Sequence, residues 1–252
     1  MDEKLTKLIE LSKELANPIL NLAILGEGNT SADCEDGTFW VKASGSQLST
    51  IKENGFSRVN GKKVLELIDD KTLDDAGVAE GLKNSLIDPL MRKPSVETFL
   101  HALCIYEGAV KWIGHTHPIS VMSVLCSKEG ARPFKQHIYP DEIVGCGKIP
   151  AVVPYVDPGL TLARAVRDEL RRYLDKFGAA PKLILMENHG MVALGQTPTD
   201  VMSISLSVDK WARTLLGTYS MGGPMFLSDE QAERIETRPD EAYRRKQISK
   251  NF

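Results

Sequence analysis

No stretch of this 252-residue chain approaches the roughly 18 apolar residues that a membrane span requires. The N-terminus, MDEKLTKLIELSKEL, holds no apolar signal core ahead of a cleavage site, so no export signal is expected. Cysteine is sparse as well. Cys34, Cys104, Cys126 and Cys146 are widely spaced, form no CxxC pair and make no disulfide-dense pattern. Reduced thiols in a cytoplasm are the simplest reading, and Cys104 and Cys126, set in apolar stretches, read as small buried hydrophobes. Excess charge of one sign is missing too: 31 basic and 34 acidic residues leave a net charge of −3, without the electrostatic footprint of a nucleic-acid binder. The basic cluster Arg244, Arg245 and Lys246 sits among acids and reads as the solvated face of a tail helix. Neither nucleic acid nor a membrane is therefore an expected partner.

What remains is ordinary globular material, 42% hydrophobic and 26% charged, without repeats or low-complexity linkers. Its length lies at the upper end of what one domain holds, which favours one α/β domain over residues 1–220 and a C-terminal helical arm over 221–252. Leu5, Ile9, Leu11 and Leu15 recur at helical spacing, and that helix should end near Pro18. LAILGEGNTSA then turns through Gly26 and Gly28 into a polar loop, and TFWVKASG is a short strand running into another glycine turn. Residues 62–69 predict a short helix, and Lys71 to Lys93 shows only weak periodicity.

From Ser95 the pattern sharpens. Pro94 blocks a helix from upstream, Ser95 is a credible N-cap, and VETFLHALCIYE follows with an apolar face. GAVKWIGHTH predicts a strand, and Pro118 opens the helix ISVMSVLCS at a position proline tolerates. IVGCGKIPAVVPY has the alternation and punctuation of paired short strands. LTLARAVRDELRRYLDKF is an amphipathic helix, followed by the strands KLILMENHG and MVALG. A long helix from Pro198 to about Gly217 begins with Thr197 as N-cap and Asp200 three residues on, a capping-box pattern.

The chain holds only five histidines, and two stand one residue apart in KWIGHTHPIS. In an extended strand, side chains at i and i+2 leave from the same face, so His115 and His117 point the same way. A catalytic divalent metal wants three protein ligands and an open position. His189, at the end of the strand LILMENHG, is the natural third, with Gly190 permitting a sharp turn. Glu97 lies near the start of the helix that precedes the His-x-His strand, where it is carried toward the same point. Alone, each has a blander reading: loop chemistry for the histidines, a favourable charge at a positive helix start for Glu97. Three strand-end histidines with a nearby acid favour the metal. His101, four residues after Glu97 in an apolar helix, reads as a core or interface residue, and His137 is undecided.

GEGNTSA and KASGS are a second signal. Small residues with free backbone N–H groups and hydroxyls suit a phosphate oxygen, although Gly-Asn-Thr-Ser is also common turn chemistry. Ser95 and the following helix start add donors.

In the order GNTS, KASG, PSVE, HTHP, IPAVVPY, ENHG, the chain closely resembles the class II aldolase/adducin family over about residues 5–217. That family includes fuculose-phosphate and rhamnulose-phosphate aldolases, ribulose-phosphate 4-epimerases, and related dehydratases and decarboxylases. The resemblance implies a three-layer α/β/α fold around a mostly antiparallel sheet, commonly a homotetramer with active sites between subunits. Carried over by motif, His115, His117 and His189 would bind a divalent metal, typically Zn2+, with Mn2+ or Co2+ as alternatives. Glu97 would shuttle the substrate's proton, and Gly28, Asn29, Ser44, Gly45 and Ser95 would cradle a sugar phosphate. Tyr139 falls where the aldolases place a tyrosine that reaches into a neighbouring subunit and protonates the leaving aldehyde. The aldolases read Ser-Ser-Glu where this chain reads Ser95-Val96-Glu97, so one phosphate hydroxyl is missing.

Openings such as LAILGEGNTS look most like the aldolase portion of bifunctional rhamnulose-phosphate aldolase/dehydrogenases, but no GxGxxG follows a strand here. The resemblance implies a metal-dependent aldolase that cleaves a ketose 1-phosphate to dihydroxyacetone phosphate and an aldehyde. The 4-epimerases carry Asp where this chain has Glu97, which tilts against epimerisation. Dehydration or decarboxylation of a sugar acid stays as the runner-up, and a non-catalytic adducin-like scaffold, expected to lack metal histidines, as a third reading.

Overall fold

The computed structural model describes residues 2–248. Its side chains at 242, 245, 246 and 248 lie outside that description, so of the predicted basic tail face only Arg244 is placed. The elements run α1 (Glu3–Leu15), β1 (Asn29–Asp33), β2 (Thr38–Lys42), β3 (Phe56–Asn60), α2 (Gly61–Asp69), α3 (Asp75–Asn84), α4 (Thr98–Tyr106) and β4 (Trp112–Thr116). There follow α5 (Ile119–Leu125), α6 (Pro140–Cys146), β5 (Ala151–Val153), α7 (Leu160–Phe177), β6 (Leu183–Met186), β7 (Gly190–Gly195), α8 (Pro198–Ser220), α9 (Asp229–Thr237) and α10 (Pro239–Ile248).

The seven strands form one sheet in the order β3-β2-β1-β4-β7-β6-β5, antiparallel throughout except for the β5–β6 pair. The expected three-layer α/β/α fold is therefore present. Alternation along the central strands builds two cores. Trp112, Leu183, Leu185, Met191 and Ala193 face the layer of α1, α5, α6 and α8. Ile113, Ile184, Met186, Val192 and Leu194 face α2, α3, α4 and α7. Both faces of the sheet are covered, which is why β6 reads as an unbroken apolar run rather than an alternating one. α8 opens with the predicted capping box, Thr197 accepting from Asp200 N–H while the Asp200 carboxylate accepts from Thr197 N–H. α9 and α10 pack against α6, and Arg244 joins Asp141 at 2.8 Å.

Four sequence-based expectations are corrected. GNTSA is not a polar loop but β1, a strand buried on both faces whose polar side chains are paired: Thr30 Oγ1 lies 2.6 Å from Ser12 Oγ. The apolar run Ile143–Cys146 is the end of α6 rather than a strand, because the run is too short for periodicity to decide and Pro140 sits at a helix N1 position. The N-cap of α4 is Glu97, with Ser95 bracing the entry through Thr98 N–H, which donates to Ser95 O at 3.1 Å. Cys126 is exposed at the C-cap of α5, whereas Cys104 is buried as expected.

Candidate metal centre and active site

β4 and β7 run antiparallel with Thr116 opposite Met191, so the end of β4 and the start of β7 coincide at one edge of the sheet. His115 and His117 leave β4 at this edge. His189 precedes β7 in the three-residue hairpin loop Glu187-Asn188-His189, where Asn188 takes the left-handed backbone (φ 55°) that asparagine tolerates better than most residues. Gly190 is required by space: a Cβ there would meet His117 Cδ2 at 2.5 Å and the Thr116 carbonyl oxygen at 2.8 Å.

One ring nitrogen from each of His115, His117 and His189 converges, all within 4.8 Å of one another. His115 and His117 bring their Nε2 atoms to 3.0 Å. The Nδ1–H of His115 donates to the Met191 carbonyl at 2.9 Å, which leaves its Nε2 lone pair facing the cluster. Nitrogens bound to one tetrahedral zinc lie roughly 3.3 Å apart, so this spacing suits a shared cation. Packing alone would not hold two ring nitrogens at that distance: bare lone pairs repel unless a proton or a metal lies between them. The donor set, three imidazoles with carboxylates alongside, fits a divalent ion of borderline softness such as zinc.

Glu97, the N-cap of α4, brings Oε1 to 3.0 Å from His189 Nε2 and 3.5 Å from His115 Nε2. Its burial would raise the carboxyl group, but the charge and hydrogen bond of His115, with those of His189, outweigh this and hold it below the usual carboxylate range. His115 is shifted the opposite way: burial favours the neutral ring, yet Glu97 and the Met191 carbonyl hold it above its ordinary value. His117 is pushed down to about 3, first by burial and then by its two neighbouring histidines.

The proposed phosphate residues gather beside the cluster. Ala43 bridges Pro94, Ser44 N–H donates to Lys93 O at 2.9 Å, and Ser95 N–H donates to Lys42 O at 3.2 Å. Ser44, Gly45 and Ser95 therefore share one corner, and Asn29 on β1 pairs directly with His115 on the neighbouring β4. Gly28 holds φ 73°, and a Cβ there would meet the His115 carbonyl oxygen at 2.7 Å. One N–H of the Asn29 amide donates to Glu97 Oε2 at 2.5 Å.

Tyr139 stands apart. It is the N-cap of α6 and lines a cavity of about 710 Å³ between α6, α8 and the far end of β7, whose lining includes none of the three histidines. Chemistry rather than volume picks out the site, because the titratable groups with the largest mutual perturbations sit at the histidine cluster.

Sequence reading missed four neighbours. Glu27 Oε2 lies 3.5 Å from His117 Nδ1. Lys42 is buried, which lowers its ammonium, opposed by Glu97 and reinforced by Arg92. The Arg92 guanidinium donates to Ser46 Oγ and Ser44 O, each at 3.0 Å. His101, read from sequence as a core or interface residue, is fully buried and in addition contacts Asn29 and Ser31. The signal for His101 was its i+4 spacing from Glu97, which turns both toward one sheet face.

Fold and cluster together define a domain of the class II aldolase type. The chain belongs to the Class II Aldolase and Adducin N-terminal domain family, whose sequence profile matches residues 6–216. It is 31% identical over 191 residues to the uncharacterized oxidoreductase YuxG of Bacillus subtilis (strain 168), covering 73% of this chain but only 25% of that relative. Among solved structures it resembles the N-terminal class II aldolase domain of a Thermoplasma acidophilum protein at 26% identity and TM-score 0.67, covering 86% of this chain and 95% of the other. It also matches the fold of an L-fuculose 1-phosphate aldolase, at 20% identity and TM-score 0.69 over 94% of this chain and 95% of that one. YgbL of Klebsiella pneumoniae, named as an aldolase/epimerase/decarboxylase without a choice among the three, matches at 20% identity and TM-score 0.70, over 92% and 97% of the two chains.

Proposed function

We propose that this chain is a divalent-metal-dependent aldolase that cleaves a ketose 1-phosphate to dihydroxyacetone phosphate and an aldehyde. The observation that carries the reading is the placement of Glu97 Oε1 within 3.0 Å of His189 Nε2 and 3.5 Å of His115 Nε2. A metal held by His115, His117 and His189 would act as a Lewis acid on the substrate's carbonyl and adjacent hydroxyl, and Zn2+ is the ion we expect. After cleavage Glu97 gives a proton to the carbon next to the carbonyl, and in the reverse, condensing direction its carboxylate form takes that proton away. No lysine Schiff base is required. Gly28, Asn29, Ser44, Gly45 and Ser95 bind and orient the phosphate end. Tyr139, from an adjacent subunit of a homotetramer, takes the proton that the C4 hydroxyl loses as the C3–C4 bond breaks, and gives it back to the aldehyde oxygen in the reverse direction. In this reading residues 1–220 are the catalytic domain, 221–252 an arm, and the protein is cytoplasmic.

A second reading has one observation in its favour. Val96 places a 43% exposed apolar side chain where the aldolases carry a second serine hydroxyl. A sugar acid without the phosphate, undergoing decarboxylation or dehydration, needs that hydroxyl less. A non-catalytic scaffold would purify without stoichiometric metal.

The deciding test is release of dihydroxyacetone phosphate from a panel of ketose 1-phosphates with and without a chelator. Chelator-sensitive release supports the aldolase. No release from protein that retains its metal transfers the assignment to decarboxylation, dehydration or 4-epimerisation.

A further inference from the structure

A file of three buried polar side chains ends on Glu97. Asn29 Nδ2 donates to Glu97 Oε2 at 2.5 Å, Asn29 Oδ1 is in hydrogen-bond contact with His101 Nε2, and His101 Nδ1 lies 2.7 Å from Ser31 Oγ. Ser31 and His101 are fully buried and Asn29 nearly so. Nothing about packing demands these residue types, since α4 is buried all round and from Phe99 to Ile105 its other residues are Phe99, Leu100, Ala102, Leu103, Cys104 and Ile105. Topology explains how they meet: Asn29 and Ser31, two apart on β1, point to the face on which α4 lies.

Hydrogen-bond complementarity gives the file one sense. An ionised carboxylate only accepts, so the amide end of Asn29 must face Glu97 and its carbonyl end must face His101. His101 must then carry its proton on Nε2. Burial, followed by the nearby His115, lowers the His101 imidazolium to about 3, so the ring is neutral and its Nδ1 is bare. Ser31 Oγ–H fills that acceptor. Each assignment compels the next, from the Glu97 Oε2 that Asn29 tethers to the Ser31 hydroxyl that locks the His101 tautomer. Oε2 is anchored to β1, and Oε1 is left free to face the histidines.

We propose that Ser31 and His101 form a positioning relay that acts through Asn29 to hold the Glu97 carboxylate by one oxygen and aim the other at the reacting centre. The relay rests on the reading of Glu97 as the proton-transfer residue. Asn29 Nδ2 carries a second hydrogen, so orienting Glu97 stands beside its place among the phosphate residues. His101 and Ser31 touch no substrate.

Three variants and two kinds of readout test this on the metal-loaded full chain. His101→Phe removes both ends of the link. His101→Gln restores a donor toward Asn29 and an acceptor toward Ser31, and Ser31→Ala removes only the lock on the tautomer. His101→Phe is expected to keep its metal stoichiometry and KM within about 3-fold while kcat falls by about 30-fold, in the range typical of groups that orient a site residue. Deuterium exchange into dihydroxyacetone phosphate should fall in parallel, and His101→Gln should recover most of both. Equal losses in the Phe and Gln variants, or a kcat that falls only as metal is lost, would overturn the relay. Should the Phe variant fail to fold, Ser31→Ala carries the test, with an expected kcat loss of about 3- to 10-fold at unchanged metal content. No loss would sink the proposal.

The second readout needs no substrate. Long-range 1H–15N spectra of the wild-type protein should show His101 as the Nε2–H tautomer. The Nδ1–H tautomer overturns the relay whatever the reaction. The expected tautomer in a protein that exchanges no deuterium into dihydroxyacetone phosphate leaves the relay standing and defeats the aldolase reading alone.

Discussion

Glu97 Oε1 lies 3.0 Å from His189 Nε2, joining the N-cap of α4 to the hairpin loop before β7. The two meet because β1 begins, β4 ends and β7 begins at the same end of the sheet. Glu97→Gln keeps size and the Asn29 contact but cannot accept a proton. Metal content is expected to stay at one per chain and kcat to drop at least about 100-fold, the range set by loss of general acid–base help. Metal analysis alongside steady-state turnover checks it. Unchanged activity would remove Glu97 from the chemistry.

Most of this constellation was legible in sequence for one reason: period-2 geometry applies wherever a strand is recognised. The His-x-His pair spans the end of β4, whose Trp112 and Ile113 announce a strand, so the shared face of His115 and His117 follows directly although His117 lies one residue past it. The same rule would have placed Asn29 and Ser31 on one face opposite His101. Asn-Thr-Ser hides from that rule, because it carries no apolar alternation and has the composition of a turn. Polar residues were hidden in a buried strand by mutual pairing, which only tertiary contacts reveal. The Ile143–Cys146 segment failed in the opposite way, being apolar but too short to tell helix from strand.

Metal affinity should depend on pH through His115. In the metal-free site its imidazolium is held above the ordinary value, against the effect of burial, by Glu97 and the Met191 carbonyl. Below that raised value a proton occupies the nitrogen the metal needs, so proton and metal compete. His117, pushed down to about 3, offers no such competition near neutral pH. Apparent affinity should therefore climb as pH rises through the His115 value and level off above it. A competition titration with a zinc chelator between about pH 5.5 and 8 reads this. An affinity flat across that range would contradict the geometry around His115.

Thiol reactivity should separate by burial. Cys126 is exposed at the end of α5, whereas burial pushes both Cys104 and Cys146 up to about 12. At pH 8 a thiol of that kind is ionised in only about one molecule in 10⁴, and only the thiolate attacks. Cys34 is intermediate in exposure and also raised, again chiefly by burial. A maleimide time course with peptide mapping should find Cys126 modified first, Cys34 slowly, and the other two only in denaturant. Early labelling of Cys104 would mean that α4 opens readily.

Gly190 and Gly217 make opposite predictions from the same substitution. At Gly190 a new Cβ would meet His117 Cδ2 at 2.5 Å and the Thr116 carbonyl oxygen at 2.8 Å, and the backbone oxygen cannot step aside. The His117 ring must turn, which draws its nitrogen away from His115 and His189. Metal binding in Gly190→Ala should weaken by about 10- to 100-fold, with overpacking costing roughly 1–3 kcal/mol of stability. At Gly217, in the last turns of α8, a Cβ meets nothing within 4 Å and the backbone is helical. Gly217→Ala should gain roughly 0.5–1 kcal/mol from the better helix propensity of alanine and leave the metal untouched. Calorimetric metal titrations and thermal melts of both variants separate the cases. A Gly190→Ala protein that binds metal normally would show that His117 is not held by the hairpin, and that the cluster tolerates a displaced ring.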